Sequence, residues 1–128
     1  MPIKLNHTLV AARDRQVTAE FLATILGLEV GAPYGPFLPV TTSNEVTLDI
    51  LETRESPITP QHYAFLVSED EFDVIFGRIE QSGLDYYADP AHRYRGRINH
   101  NDGGRGIYFD DPNGHNLEII TRPYGSVA

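Results

Sequence analysis

The chain has 128 residues, the length of one compact domain, and its 10 lysines and arginines stand against 18 aspartates and glutamates. The net charge of -8 disfavours nucleic acid and anionic membrane as general partners, and the absence of cysteine excludes disulfides, thiolate ligands and a cysteine nucleophile. Because no apolar run is long enough to span a bilayer and the first residues lack the apolar core of a signal peptide, we expect a soluble, cytoplasmic protein.

The first half of the chain predicts a strand, a helix, two short extended pieces and a final strand. Alternation in the first strand places His7 and Leu9 on one face. Asp14 can cap the helix, and Gly27 is suited to end it because glycine accepts a left-handed backbone. In the final strand, Asp49 lies on the face opposite to its apolar neighbours. These elements are predicted at residues 3–11, 15–26, 29–34, 37–42 and 45–51.

The second half repeats this order after a proline-containing linker. A strand that carries His62 is followed by a capping box at residues 68–71 and a helix with an apolar stripe, which Gly83 ends. A further strand begins at Tyr86, and a polar loop rich in arginine and glycine precedes the last hairpin. The strand that carries His62 is predicted at residues 62–67, the polar loop at residues 90–104 and the hairpin at residues 108–121.

The two halves therefore form an internal repeat in pattern rather than in letters. Each half predicts a βαβββ module, at residues 1–55 and 60–123, within a single domain. Each module has a histidine on its first strand, His7 or His62, and an acid on its last, Asp49 or Glu118.

Two such modules packed side by side predict an α+β fold in which the strands form an open, curved mixed sheet with the helices outside. The two histidines and two acids could then converge at one place. Two imidazoles with one or two carboxylates suit Fe²⁺, Mn²⁺, Ni²⁺, Zn²⁺ or Co²⁺, and these ligand types do not choose among the ions.

Three segments carry a resemblance to a known family. They are Asn6 with His7, the run Gln-His-Tyr-Ala-Phe at residues 61–65, and the run Gly-Ile-Tyr-Phe-Asp-Asp-Pro-Asn-Gly-His-Asn-Leu-Glu at residues 106–118. With them the chain resembles the vicinal oxygen chelate superfamily over nearly its whole length. Members include glyoxalase I, fosfomycin-resistance thiol transferases, extradiol dioxygenases and bleomycin-resistance proteins. The last run is specific to the superfamily but to no single activity within it.

The resemblance implies paired βαβββ modules, a homodimer, and a divalent metal ion held by His7, His62 and Glu118. Asp49 stands where glyoxalase I-like members have a fourth ligand, but it is shorter than the usual glutamate, so a pocket hydrogen bond is the alternative role. Tyr108 matches a substrate-contacting tyrosine of the thiol transferases.

The function that this resemblance favours is a metal-dependent enzyme acting on a small oxygen-rich substrate, either a glyoxalase-like lyase or isomerase or an extradiol-type dioxygenase. Glu118 or Asp49 could serve as the base, and Tyr108 and His100 are candidates for further catalytic groups. A thiol transferase is disfavoured because Leu9 replaces a threonine and residues 99–104 replace a potassium-binding loop. The alternative from another class is a drug-sequestering protein of the bleomycin-resistance type, which the net charge of -8 and seven tyrosines would suit.

The loop around residues 91–105 concentrates four arginines, two histidines and a tyrosine in an acidic protein. One interpretation is a lid that holds an anionic substrate group, with Asn99 and Arg105 as substrate-binding candidates beside Asp49 and Tyr108. The other is a solvated loop whose arginines pair with the protein's own carboxylates. His115, beside the last turn, is expected to be structural.

Overall fold

Alternating apolar and polar residues build two three-stranded mixed sheets, one in each half of the chain. The computed structural model describes residues 2–126, which divide between Ile58 and Thr59 into a first and a second unit. The elements of the first unit are β1 (His7–Ala12), α1 (Arg15–Leu26), β2 (Phe37–Thr41) and β3 (Thr47–Glu52). Those of the second are β4 (His62–Leu66), α2 (Glu69–Gln81), a 3₁₀ turn (Asn101–Gly103), β5 (Gly106–Asp110) and β6 (Asn116–Ile120).

The two sheets have the same topology. The strand order is β1-β3-β2 in the first and β4-β6-β5 in the second. The first strand of each module pairs in parallel with the last, and the middle strand pairs with the last in antiparallel fashion. The predicted fold class of paired βαβββ modules is therefore confirmed.

The predicted second strand of each module is reduced to isolated bridges. In the first unit Val30 bridges to Val40 and Tyr34 to Phe37, and in the second Tyr87 bridges to Tyr108. Pro33 and Pro36 interrupt the first of these segments, since proline lacks the N–H that a ladder requires. The first strand also begins at His7 rather than at residue 3, because its partner β3 begins at Thr47, the residue opposite His7.

Both helices begin as predicted. Asp14 accepts the backbone N–H groups of Gln16 and Val17, and Gly27 ends α1 in the left-handed conformation with φ 73°. At α2 the capping box is present: Ser68 Oγ accepts the N–H of Glu71, whose side chain accepts the N–H of Ser68. Neither helix within residues 2–126 has the length and apolar character needed to cross a bilayer.

The core of each unit lies on one face of its sheet. In the second unit the fully buried apolar side chains come from α2, β5 and β6, and they are Phe72, Ile79, Ile107, Phe109, Leu117 and Ile119. Because successive strand residues point to opposite faces, this leaves the alternate residues of β4, β5 and β6 on the other face. The candidate site lies on that other face.

Candidate metal-binding site

The face of the second sheet that carries His62 and Glu118 is arranged in three rows, and we call it the site face. Its members are set by the strand register and listed here by row: His62, Asn116 and Asp110; then Ala64, Glu118 and Tyr108; then Leu66, Ile120 and Gly106. The first row is polar and the last is apolar. Glu118 is therefore the central residue of the central strand.

Glu118 is completely buried and faces His62. Its side chain is 0% exposed, whereas that of His62 is 45% exposed, and His62 Nε2 lies 2.9 Å from Glu118 Oε1. This separation is close to the roughly 3.0 Å expected between adjacent ligand atoms that are each about 2.1 Å from one ion. The imidazole nitrogen and the carboxylate oxygen therefore fit a divalent ion by type and by spacing.

Two tyrosines complete the surroundings of Glu118. The hydroxyl of Tyr124 donates a hydrogen bond to Glu118 Oε2, and it lies 2.6 Å from the hydroxyl of Tyr108. Because Tyr124 has one hydroxyl hydrogen and the carboxylate takes it, Tyr108 must donate to Tyr124. Burial raises the pKa of Tyr108 far above its usual range, and the hydrogen bond to Tyr124 adds to that shift. Burial also raises the pKa of Tyr124, and the hydrogen bond to Glu118 raises this pKa further.

The last hairpin holds the start of β4 in place. Asp111 Oδ1 accepts the backbone N–H of His115 at 2.8 Å and that of Asn113 at 2.9 Å. The ring of His115 is fully buried, and its Nδ1 accepts the backbone N–H of Gln61 at 2.9 Å. Since Gln61 directly precedes His62, this contact fixes where the His62 side chain leaves the backbone. His115 thus has the structural role that the sequence predicts.

A cluster that sequence reasoning missed borders the first row of the site face. The ring of His92 stacks on Tyr87 with centroids 4.1 Å apart, and its Nε2 lies 2.9 Å from Asn116 Oδ1 and 3.7 Å from Asp110. Burial raises the pKa of Asp110, and the electrostatic effect of His92 partly offsets this increase. The local sequence shows only a histidine two residues after Pro90, because the partners of His92 come from other segments of the unit.

In the first unit, His7 and Asp49 occupy the register positions that His62 and Glu118 occupy in the second. His7 is opposite Thr47, and Leu9 is opposite Asp49. Asn6 Oδ1 lies 2.8 Å from His7 Nδ1, so Nδ1 carries the hydrogen and Nε2 keeps a lone pair for a ligand. The half-buried carboxylate of Asp49 makes no hydrogen bond or ion pair with the residues that the structure describes.

The structure brings two of the three predicted metal ligands together, His62 and Glu118. Within residues 2–126, no group of three or more histidine, aspartate or glutamate side chains is arranged to hold a metal ion. The third ligand, His7, stays a prediction.

Arg105 is directed to α2. Its guanidinium lies 2.8 Å from carboxylate oxygens of Glu69 and Asp73, and it stacks over the ring of Phe72 at 4.3 Å. Its charge is therefore neutralised within the unit, as in the interpretation that pairs the loop's arginines with the protein's own carboxylates.

The other two loop candidates make no described side-chain hydrogen bond to Glu118 or its partners. The side chain of Asn99 donates to the carbonyl of Ala88 at 2.9 Å and accepts the N–H of Asn101 at 3.2 Å. His100 is exposed, and its side chain makes no hydrogen bond or ion pair with the described residues. No described contact joins the side chains of Asn99, His100 and Arg105 to the Glu118 cluster, and their roles stay predictions.

Comparison with known proteins places this geometry in a family context. The sequence model of the Glyoxalase/Bleomycin resistance protein/Dioxygenase superfamily matches residues 4–119. The chain is 31% identical over 122 residues to the glutathione transferase FosA of Serratia marcescens, covering 90% of this chain and 78% of that protein. Among solved structures, Oxidase ChaP-H2 is 67% identical with a TM-score of 0.97 over 100% of both chains. Oxidase ChaP-H1 is 58% identical with a TM-score of 0.94, over 98% of this chain and 100% of that one.

The pairing of Glu69 predicts a pH dependence of stability. Hydrogen bonds from Thr121 and then Arg105 lower the pKa of Glu69 from 4.5. A lowered folded-state pKa stabilises the fold above the unfolded-state pKa, and this contribution is lost as the pH falls through the folded value. We expect Glu69→Gln to melt below wild type at neutral pH and to lose less stability than wild type on acidification to about pH 3. Melting curves at a series of pH values measure this effect.

Glu80→Gln is the control, because Glu80 lies on the same helix but makes no ion pair with the described residues, and its melting curves should follow those of wild type. Identical curves for all three proteins would contradict the assignment.

Proposed function

We propose, since the chain belongs to the glyoxalase/bleomycin resistance protein/dioxygenase superfamily, that it is a divalent-metal-dependent oxidase of a small oxygen-rich substrate. The observation that carries the metal dependence is the contact of His62 Nε2 with Glu118 Oε1 at 2.9 Å. The choice of oxidation is supported by the two full-length relatives that are described as oxidases, at 67% and 58% identity. The transferase FosA is a more distant relative at 31% identity.

His7, His62 and Glu118 are the proposed metal ligands. Two neutral imidazoles and one carboxylate form the ligand type of non-haem Fe²⁺ oxygenases, in which coordination positions remain open. Support for His7 comes from its matching register position and from Asn6, which directs its Nδ1 hydrogen and leaves Nε2 for a ligand. When bound, a redox-active ion would supply open positions for molecular oxygen and for adjacent oxygens of the substrate.

The chain's own residues would orient the substrate on the site face. Leu66 and Ile120 form its apolar end, which suits a carbon skeleton, while the polar row suits oxygen substituents. Tyr108 is a hydrogen-bond donor at the centre of this face and is proposed to contact the substrate. Asp49, a carboxylate without a partner in the described structure, is proposed as a second polar contact.

Metal analysis tests the ligands directly. Wild-type protein purified without chelator should hold about one transition-metal ion per chain. His62→Ala should lose the ion because the substitution removes one of the proposed ligands. Plasma mass spectrometry gives both the amount and the identity of the metal. His62 is 45% exposed, so its removal leaves the core intact. His100→Ala removes another exposed imidazole and should keep the metal. Wild-type protein that stays metal-free after reconstitution with each candidate ion would overturn the proposal.

Oxygen consumption tests the chemistry. We expect Fe²⁺-loaded wild-type protein to consume oxygen in the presence of catechols or related phenols, and His62→Ala and Glu118→Gln to lose this activity. An oxygen electrode measures the rate, with the metal-free protein as the control. Thiol-dependent loss of an epoxide without oxygen uptake would favour a transferase. Drug binding that survives a chelator would favour sequestration.

A homodimer is the proposed assembly. Superfamily members are commonly dimeric, and large apolar side chains stay uncovered on both units: Leu9 is 50% exposed and Leu66 is 61% exposed. Light scattering on the purified chain should give the mass of two copies, and Leu66→Glu should weaken association because it places a charge in the apolar surface. A wild-type mass equal to one chain at micromolar concentration would contradict this assembly.

A further inference from the structure

The two carboxylate oxygens of Glu118 have different partners. Oε1 faces His62 Nε2, and Oε2 accepts the hydroxyl hydrogen of Tyr124. Because the Glu118 side chain is 0% exposed, bulk water is not available as a replacement partner for Oε2. Tyr124 is therefore the residue that occupies the second oxygen.

Tyr124 reaches Glu118 from a turn after the last strand, and its position is anchored at both ends. The backbone N–H of Ser126 donates to the carbonyl of Pro123 at 3.1 Å, and Gly125 provides the positive φ of 79° that the turn requires. On the other side, Thr121 exchanges hydrogen bonds with Arg105: its N–H donates to the Arg105 carbonyl at 3.0 Å and its hydroxyl accepts the Arg105 N–H at 2.8 Å.

The segment after β6, residues 121–126, is called the tail here, and its start packs closely on the loop before β5. A Cβ added at Gly104 would lie 2.5 Å from Thr121 Oγ1 and 2.9 Å from Arg122 Cγ. The backbone at Gly104 thus supports the segment from which Tyr124 projects. The start of the tail is therefore held against the unit by its contacts with Gly104 and Arg105.

We infer that Tyr124 is a positioning residue that makes Glu118 a ligand through one oxygen only. A carboxylate that chelates through both oxygens needs Oε2 to be free, and the hydrogen bond from Tyr124 occupies it. The arrangement leaves Oε1, on the His62 side, for the ion and preserves a coordination position for substrate or oxygen. This inference rests on the proposed function, because it assumes that Glu118 binds a metal ion.

Cobalt substitution of the Tyr124→Phe protein tests this inference with a readout other than activity. Without the hydroxyl, Glu118 loses its orientation and Oε2 becomes free to bind the ion. Because the loss of an outer hydrogen bond that orients a ligand typically outweighs the gain of a second, strained carboxylate contact, we expect the affinity for Co²⁺, measured by competition with a chelating dye, to fall by about 10-fold or more. We also expect the visible d–d absorption of bound Co²⁺ to weaken, because these bands lose intensity as the coordination number rises.

Two tyrosine variants serve as matched controls. Tyr34→Phe removes a hydroxyl from a side chain that is 79% exposed in the first unit and should match wild type. Tyr108→Phe removes the donor to Tyr124 but leaves the bond from Tyr124 to Glu118, so the Co²⁺ spectrum should stay that of wild type. Circular dichroism should show that all these proteins fold, while Tyr124→Phe is expected to melt below Tyr34→Phe because the buried Glu118 Oε2 then lacks a donor.

The outcomes separate the two proposals. If wild-type protein binds Co²⁺ through His62 but Tyr124→Phe matches Tyr34→Phe in affinity and spectrum, the inference about Tyr124 is wrong and the metal site stands. If wild-type protein fails to bind Co²⁺, or binds it equally well after His62→Ala, the proposed metal site itself is wrong.

Discussion

A buried carboxylate must have partners, and the second unit is arranged around this requirement of Glu118. Transfer of an ionised carboxylate from water into a sheet costs several kcal/mol unless hydrogen bonds or opposite charges replace its hydration. Here one oxygen faces an imidazole and the other a phenol hydroxyl. The hairpin that carries His115 positions the histidine strand, and the docked tail positions the tyrosine. An arrangement that satisfies a carboxylate in this way also presents a nitrogen and an oxygen at the spacing of adjacent metal ligands.

The internal repeat explains how one unit can specialise while the other keeps the same scaffold. Both sheets have the same strand order and register, so the acid on the last strand lies two residues beyond the histidine level in each. The residues opposite the acids differ: Tyr108 pairs with Glu118, whereas Pro39 pairs with Asp49. Proline supplies neither a hydroxyl nor an N–H, so Pro39 cannot play the part of Tyr108, whose hydroxyl donates to Tyr124, the donor to Glu118. The difference between the units therefore lies in side chains and not in topology.

Residues in strands were more predictable than residues in loops. The prediction of His62 and Glu118 relied on alternation with a period of two and on a motif that continues through a tight hairpin, both of which are local properties of the chain. The roles predicted for the loop residues Asn99, His100 and Arg105 rest on charge and nearness in sequence and stay predictions. Arg105 instead binds two carboxylates of α2, more than 30 residues earlier. No local pattern could indicate that pairing, because an arginine can bind any carboxylate that the fold brings near.

The amino-acid order alone was sufficient for the fold class, the two helices with their caps, the repeat, and the faces on which the histidines and acids lie. These features follow from periodicity, capping and turn chemistry, which act between residues close in sequence. The folded chain was needed to identify the partners of Glu118, above all Tyr124, and the role of Asn6 beside His7. A hydroxyl at the end of a turn has no preferred partner until packing brings a buried oxygen within hydrogen-bond distance of it, and that distance depends on every element between them.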